Sequence, residues 1–253
     1  MPRLTRTVRA AFGAALFVVW AAGSALAGEL YQVGMIEALL AGDYAGRETF
    51  TTLARHGDCG LGTFTDLDGE MVALDGRFYQ VKTDGKAYPV APSRKTPFAQ
   101  VTHCADTLDL GRADGLDLAG LGAALAKRLP DPTRFYVVRV DGLFTAIKTR
   151  SVPAQQQPWP PLATACKAQA EFPMHDVAGT MVGVYTPPNV AALSPVGWHF
   201  HFLTTDRTRG GHVLAATIAV AKARGEQITS LRVVFPAGPT PRMDGPRPAA
   251  GTE

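Results

Sequence analysis

The segment Trp198-His199-Phe200-His201-Phe202-Leu203 puts two imidazoles at alternate positions, and His212 follows 11 residues after His201. On a strand, alternate side chains share a face, so His199 and His201 point the same way. Trp198, Phe200 and Phe202 then form an apolar back. Thr204–Gly211 supplies a turn, and a hairpin returning through His212 brings a third imidazole level with the first two. Three imidazoles with coordination positions left over suit a catalytic metal centre better than a closed structural one. Taken singly, a strand histidine is usually a surface or satisfied core residue, which is the reading for His56, His103 and His175. The triplet differs because half of the six histidines fall within the 14 positions His199–His212. Spacing does not choose zinc over iron, manganese or nickel, since neutral imidazole suits several of them.

Two further segments carry chemistry-bearing residues. Arg55–Gly76 is dense in glycine, which in a β context lets backbone approach backbone or ligand. It lacks the Lys-Ser/Thr ending of a phosphate loop. Within it, Glu70 sits just after a turn and beside an apolar strand, where a carboxylate can be held over a site. By residue type alone, a solvated turn carboxylate is the commoner case. Lys148-Thr149-Arg150 ends another strand with two cations, a pattern also common at exposed strand ends.

The elements that must position these residues are mostly β. Leu30–Val33, Leu61–Thr65, Met71–Val81 and Phe98–His103 read as strands. Asp75-Gly76, Asp84-Gly85 and Asp141-Gly142 read as hairpin turns, the last between Phe135–Val140 and Leu143–Lys148. Helical patterns cover Met35–Leu40, Glu48–Arg55 and Leu116–Leu129. The run Gln155–Pro161 is a linker or sharp corner, followed by a helix over Leu162–Ala170. Strands are expected at Val177–Tyr185, Trp198–Thr204, His212–Ile218 and Ile228–Phe235. The tail Ala237–Glu253 reads as irregular. This predicts an α+β chain of mostly antiparallel sheet, in two parts divided near the linker, 28–157 and 158–253.

Composition agrees with a folded chain. Of 253 residues, 46% are hydrophobic and 19% charged, with 26 Gly and 19 Pro implying many turns. The formal charge of +3 includes Arg3, Arg6 and Arg9, so the remainder is near neutral and nothing points to nucleic acid. Those arginines precede an apolar run over Ala10–Ala22 and then Ser24-Ala25-Leu26-Ala27. This is the grammar of a secretory signal cleaved after Ala27, leaving 253 − 27 = 226 residues. No later stretch is long and apolar enough for a membrane-spanning helix. Cys59, Cys104 and Cys166 show no CxxC spacing, and an odd number leaves at least one thiol free. Which pair could bridge is not given by the sequence.

Four strings together resemble the alpha-acetolactate decarboxylase family: HGDCGLGTFTDLDGEMVALDGRFYQ (56–80), KTPFAQVT (95–102), VDGLFTAIKTRSVPAQ (140–155) and GWHFHFLTTDRTRGGHVL (197–214). The resemblance runs from Leu30 to about Phe235. It implies a zinc enzyme converting 2-acetolactate, a 2-hydroxy-3-keto acid, to acetoin and carbon dioxide. His199, His201 and His212 match the zinc histidines, Glu70 and Arg150 the active-site glutamate and arginine, and Thr63 a threonine lining the pocket. The metal-site glutamate that the family draws from near its C-terminus falls to Glu253. The implied fold is a mixed sheet first and an antiparallel sheet carrying the metal after it, assembled as a homodimer. Cys59 departs from the apolar residue expected there and reads as a conservative filling of the pocket wall.

Decarboxylating a β-keto acid leaves electron density on the former ketone, so catalysis means stabilising an enolate. In the implied mechanism the zinc is the Lewis acid, Arg150 grips the carboxylate or helps return the proton, and Glu70 orients groups or relays that proton. The same three histidines would also serve an exported metal-dependent hydrolase or oxygenase. A non-enzymatic zinc-binding protein is the remaining reading, and it would have no need of Glu70 and Arg150 at the metal.

Overall fold

The computed structural model describes residues 28–235. The expected signal segment 1–27, the irregular tail and Glu253 lie outside the described residues. In chain order the strands are β1 Glu29–Val33, β2 Glu48–Thr49, β3 Cys59–Thr63, β4 Glu70–Leu74, β5 Arg77–Val81, β6 Ala87–Pro89 and β7 Lys95–Thr96. They continue as β8 Ala99–Thr102, β9 Leu108–Arg112, β10 Tyr136–Ser151, β11 Ala170–Thr186, β12 Gly197–Thr204, β13 Gly210–Gln227 and β14 Ser230–Val234. Four short helices interrupt them: α1 Ile36–Leu40, α2 Phe50–His56, α3 Leu118–Ala126 and α4 Leu162–Ala165. The fold is α+β, as expected. No helix among the described residues is long and apolar enough to cross a membrane.

A seven-stranded sheet runs β14-β1-β8-β3-β4-β5-β6 and is mixed, because β14 pairs parallel to β1 while the others pair antiparallel. A five-stranded sheet runs β10-β11-β12-β13-β9, all antiparallel, with β10 also pairing β13. Apolar side chains from both sheets meet in one buried cluster, including Leu61, Val72 and Leu74 from the first and Val182, Val184 and Leu203 from the second. Behind the second sheet, Phe200 and Phe202 pack with Leu121 and Leu125 of α3. A β-rich chain with alternating apolar faces buries two such layers without needing many helices.

Several boundaries differ from the sequence reading. The division expected at Gln155–Pro161 does not separate the sheets: β9 and β10 precede it yet belong to the second, and β14 at the far end joins the first. The hairpin expected at Asp141-Gly142 is absent, and β10 runs straight through it. Asp141 is paired on both sides, with Thr180 and Lys222 opposite it. Its carboxylate also takes hydrogen bonds from Thr180 (2.6 Å) and Arg224 (2.9 Å). Two ladders outweigh a local turn preference. The helix expected from Glu48 begins at Phe50, where Thr49 caps it by accepting from the Thr52 amide at 3.2 Å.

Cys59 and Cys104 form a disulfide with Cα atoms 5.8 Å apart, and Cys166 is the free thiol. Cys59 therefore does not fill the pocket wall. It is buried between the sheets beside Leu61 and Val72, because pairing of β3 with β8 sets it opposite Thr102, two residues from Cys104. The glycines of β3 likewise serve backbone packing: a Cβ at Gly60 would lie 2.0 Å from the Gln100 carbonyl oxygen.

Candidate active site

One cavity between the sheets collects the described residues that the family resemblance matches to the site. Its lining includes Thr63, Glu70, Arg150, His199, His201 and His212. The histidines come from adjacent strands of the second sheet, with His201 directly opposite His212 across β12 and β13. Ring centroids lie 4.9 Å apart for His199–His201, 4.9 Å for His199–His212 and 5.3 Å for His201–His212. Phe200 and Phe202 are buried on the opposite face, so the strand cannot rotate to release the imidazoles without emptying the core. One candidate ligand atom from each ring lies within 4.8 Å of the others, so the three can hold a metal ion.

Arg150 stands opposite His212 in the β10–β13 ladder. Gly211 makes that approach possible: its φ is +126°, and a Cβ there would sit 2.4 Å from the Arg150 carbonyl oxygen. The guanidinium donates through Nη1 to Cys166 Sγ (2.8 Å) and to Gln169 Oε1 (3.1 Å). Glu70 and Thr63 come from the first sheet and pair with each other at the mouth of the β3–β4 connection. Gly69, with φ +91°, sets the turn that starts β4, since a Cβ there would meet the Val81 carbonyl at 2.3 Å. Glu70 is buried rather than solvated. Thr63 donates its hydroxyl to the Gly69 carbonyl at 2.8 Å, which leaves its oxygen as an acceptor.

The electrostatics favour neutral imidazoles. Burial pushes the His201 pKa down to about 4, against the pull of its bond to Met71 and with Arg150 pushing the same way. His199 and His212 are also held well below the ordinary range, first by burial and then by the neighbouring histidines and Arg150. Both are half-buried by exposed area, but enough protein surrounds them for desolvation to dominate. His201 Nδ1 lies 2.7 Å from the Met71 carbonyl, which can only accept, so Nδ1 carries the proton and Nε2 presents a lone pair. That lone pair lies 3.5 Å from Glu70 Oε2. Two lone-pair groups at that distance call for a positive charge near them. His199 Nδ1 and His201 Nε2 are also buried with no hydrogen-bond partner among the described residues. His199 Nε2 and His212 Nδ1 lie 3.0 Å apart, so one of these neutral rings donates to the other, and together with the bare Nε2 of His201 the three offer the donor set that a divalent cation needs.

The family model for alpha-acetolactate decarboxylase matches residues 30–240. The chain belongs to the alpha-acetolactate decarboxylase family. It is 47% identical to the alpha-acetolactate decarboxylase of Methylococcus capsulatus over 186 residues, 74% of this chain and 72% of that protein. It is 46% identical to the one from Methanosarcina mazei, covering 73% of this chain and 64% of that protein. The crystal structure of alpha-acetolactate decarboxylase from Bacillus subtilis strain 168 superposes with a TM-score of 0.81 at 32% identity, covering 83% of this chain and 90% of that one. The fold described above is thus shared with that structure. The sequence reading missed three neighbours of the named residues: Met71, through its carbonyl, and Cys166 and Gln169, through the guanidinium. Nothing in their types or spacing marks them, because each acts through a register or a turn visible only in three dimensions.

Proposed function

We propose that this protein decarboxylates 2-acetolactate to acetoin and carbon dioxide at the cavity between the sheets, with zinc on His199, His201 and His212. The observation that carries this reading is convergence: Glu70 from one sheet and Arg150 from the other line the same cavity as the three imidazoles. A protein that merely stored metal would need neither. Bound there, zinc would supply Lewis-acid charge where negative charge develops as the carbon–carbon bond breaks.

The chain's own groups account for the rest. Arg150 is a buried, permanently charged fork that recognises a carboxylate through two parallel hydrogen bonds. As the carboxylate leaves as carbon dioxide, the bonding electrons pass to the former ketone, and the carbon left behind must take up one proton. Glu70 is the one carboxyl group among the described residues lining the cavity, so it is assigned the relay of that proton, taken from solvent and passed to the carbon. Ile36, Leu39, Val152 and Leu162 form an apolar wall that suits the two methyl groups of the substrate. Incubating the zinc-loaded protein with racemic 2-acetolactate should release acetoin and carbon dioxide in equal amounts. Absence of acetoin at full zinc occupancy would overturn the assignment.

The reading extends to location and assembly. Export is supported by the signal-like grammar of residues 1–27 and by the Cys59–Cys104 disulfide, a bond favoured in oxidising compartments. Protein recovered outside the cytoplasm should begin at Gly28 on N-terminal sequencing, and an intact Met1 there would refute cleavage. A homodimer follows from the family resemblance alone.

A further inference from the structure

Arg150 is held by a chain of groups that the reaction itself does not use. Its Nη1 donates to Gln169 Oε1 at 3.1 Å. The Gln169 amide nitrogen in turn donates to Glu171 Oε1 at 2.9 Å, and the other oxygen of Glu171 pairs with Lys148 at 3.0 Å. The orientation of the amide is forced. A guanidinium can only donate, so the amide oxygen must face Arg150, and a carboxylate only accepts, so the nitrogen must face Glu171. The geometry of the backbone fits this chain. Glu171 is the direct partner of Arg150 in the β10–β11 ladder, and Gln169 ends the turn that follows α4. Cys166 also accepts from Nη1, but sulfur is a weak acceptor beside a carboxamide oxygen.

We infer that Gln169 is a positioning residue for the Arg150 guanidinium, and that Glu171, anchored by Lys148, acts through Gln169 by fixing which way its amide faces. The inference rests on the decarboxylase reading for the substrate carboxylate that Arg150 meets. Arg150 has several rotatable bonds, and a fork recognises a carboxylate only when its plane is fixed, so the ordering is done before substrate arrives. The exposed Lys148–Glu171 pair contributes little to stability on its own; its part is to set direction.

The test uses the full-length, zinc-loaded protein. Replacing Gln169→Met removes the acceptor and keeps the shape at a half-buried position. We expect KM for 2-acetolactate to rise about tenfold with kcat changed much less, and the thermal midpoint to hold. Calorimetry with 2-hydroxy-2-methylpropanoate, which lacks the ketone and cannot decarboxylate, should show a parallel loss of affinity. Glu171→Gln should give a smaller loss, and none at all when added to Gln169→Met, because it acts through the amide. Unchanged KM and probe affinity in Gln169→Met would overturn the inference, as would effects of the two substitutions that multiply. If the wild type binds the probe with this dependence on Gln169 but makes no acetoin, the positioning role stands and the decarboxylase reading falls. Wild-type protein that neither binds the probe nor makes acetoin overturns both.

Discussion

The five-stranded sheet brings His199, His201, His212 and Arg150 to the cavity on three long strands whose registers interlock, with His212 facing both His201 and Arg150. The seven-stranded sheet brings Thr63 and Glu70 from the two ends of a single connection. Both arrangements are held by ladders, Glu70 lying between Thr63 and Val81; the second differs in that Glu70 opens its strand directly after the turn set by Gly69. The three histidines that could hold a metal thus lie on one layer, and Glu70, the proposed acid–base group, lies on the opposing one. The contrast separates retention of the metal from use of it.

Paired substitutions break or sharpen that contrast. His201→Ala should abolish metal binding and lower turnover by about a thousandfold or more, since it removes both a ligand and several kcal/mol of charge stabilisation at the transition state. Elemental analysis and the acetoin assay read the two effects together. Glu70→Gln should keep the metal at wild-type content while turnover falls by roughly 10²–10⁴-fold, the usual worth of a positioned acid or base. Loss of metal in Glu70→Gln would place a ligand on the first sheet and erase the distinction. Full metal in His201→Ala would remove that residue from the site.

How far the sequence could be read depends on whether a residue's role is local. The His-x-His alternation needs nothing beyond strand geometry, and the structure has it. Asp75-Gly76 is a hairpin in fact, with φ of 54° and 72° at its two residues, because among the described residues no strand ladder flanks it to compete with the turn. Asp141-Gly142 has the same letters and becomes strand, because β11 and β13 flank it. The parallel pairing of β14 with β1 joins segments about 200 residues apart, and no periodicity reports it. Cys59 was legible as an unusual residue, but not as half of a disulfide, since its partner is set by the register of β3 on β8. Gln169 is the extreme case: only the fold makes it a neighbour of Arg150.

The disulfide gives the smallest expected effect and the cleanest check on the separation of the layers. Cys59 and Cys104 close a loop of 45 residues within the seven-stranded sheet. That loop contains Thr63 and Glu70 and none of the three histidines. Constraining the unfolded chain by such a loop is worth about 2–4 kcal/mol. The double substitution Cys59→Ala with Cys104→Ala should therefore lower the thermal midpoint by about 5–15 °C, with metal content and kcat near wild type at 25 °C. The reason is geometric: Glu70 is placed by its pairing with Thr63 and Val81, contacts that the bond does not make. Reductant alone should reproduce the shift in the wild type and do nothing further to the double variant. A large fall in kcat in the folded double variant would mean that the staple, rather than the ladder, fixes the carboxylate, and the first sheet would then owe its place at the cavity to a covalent bond.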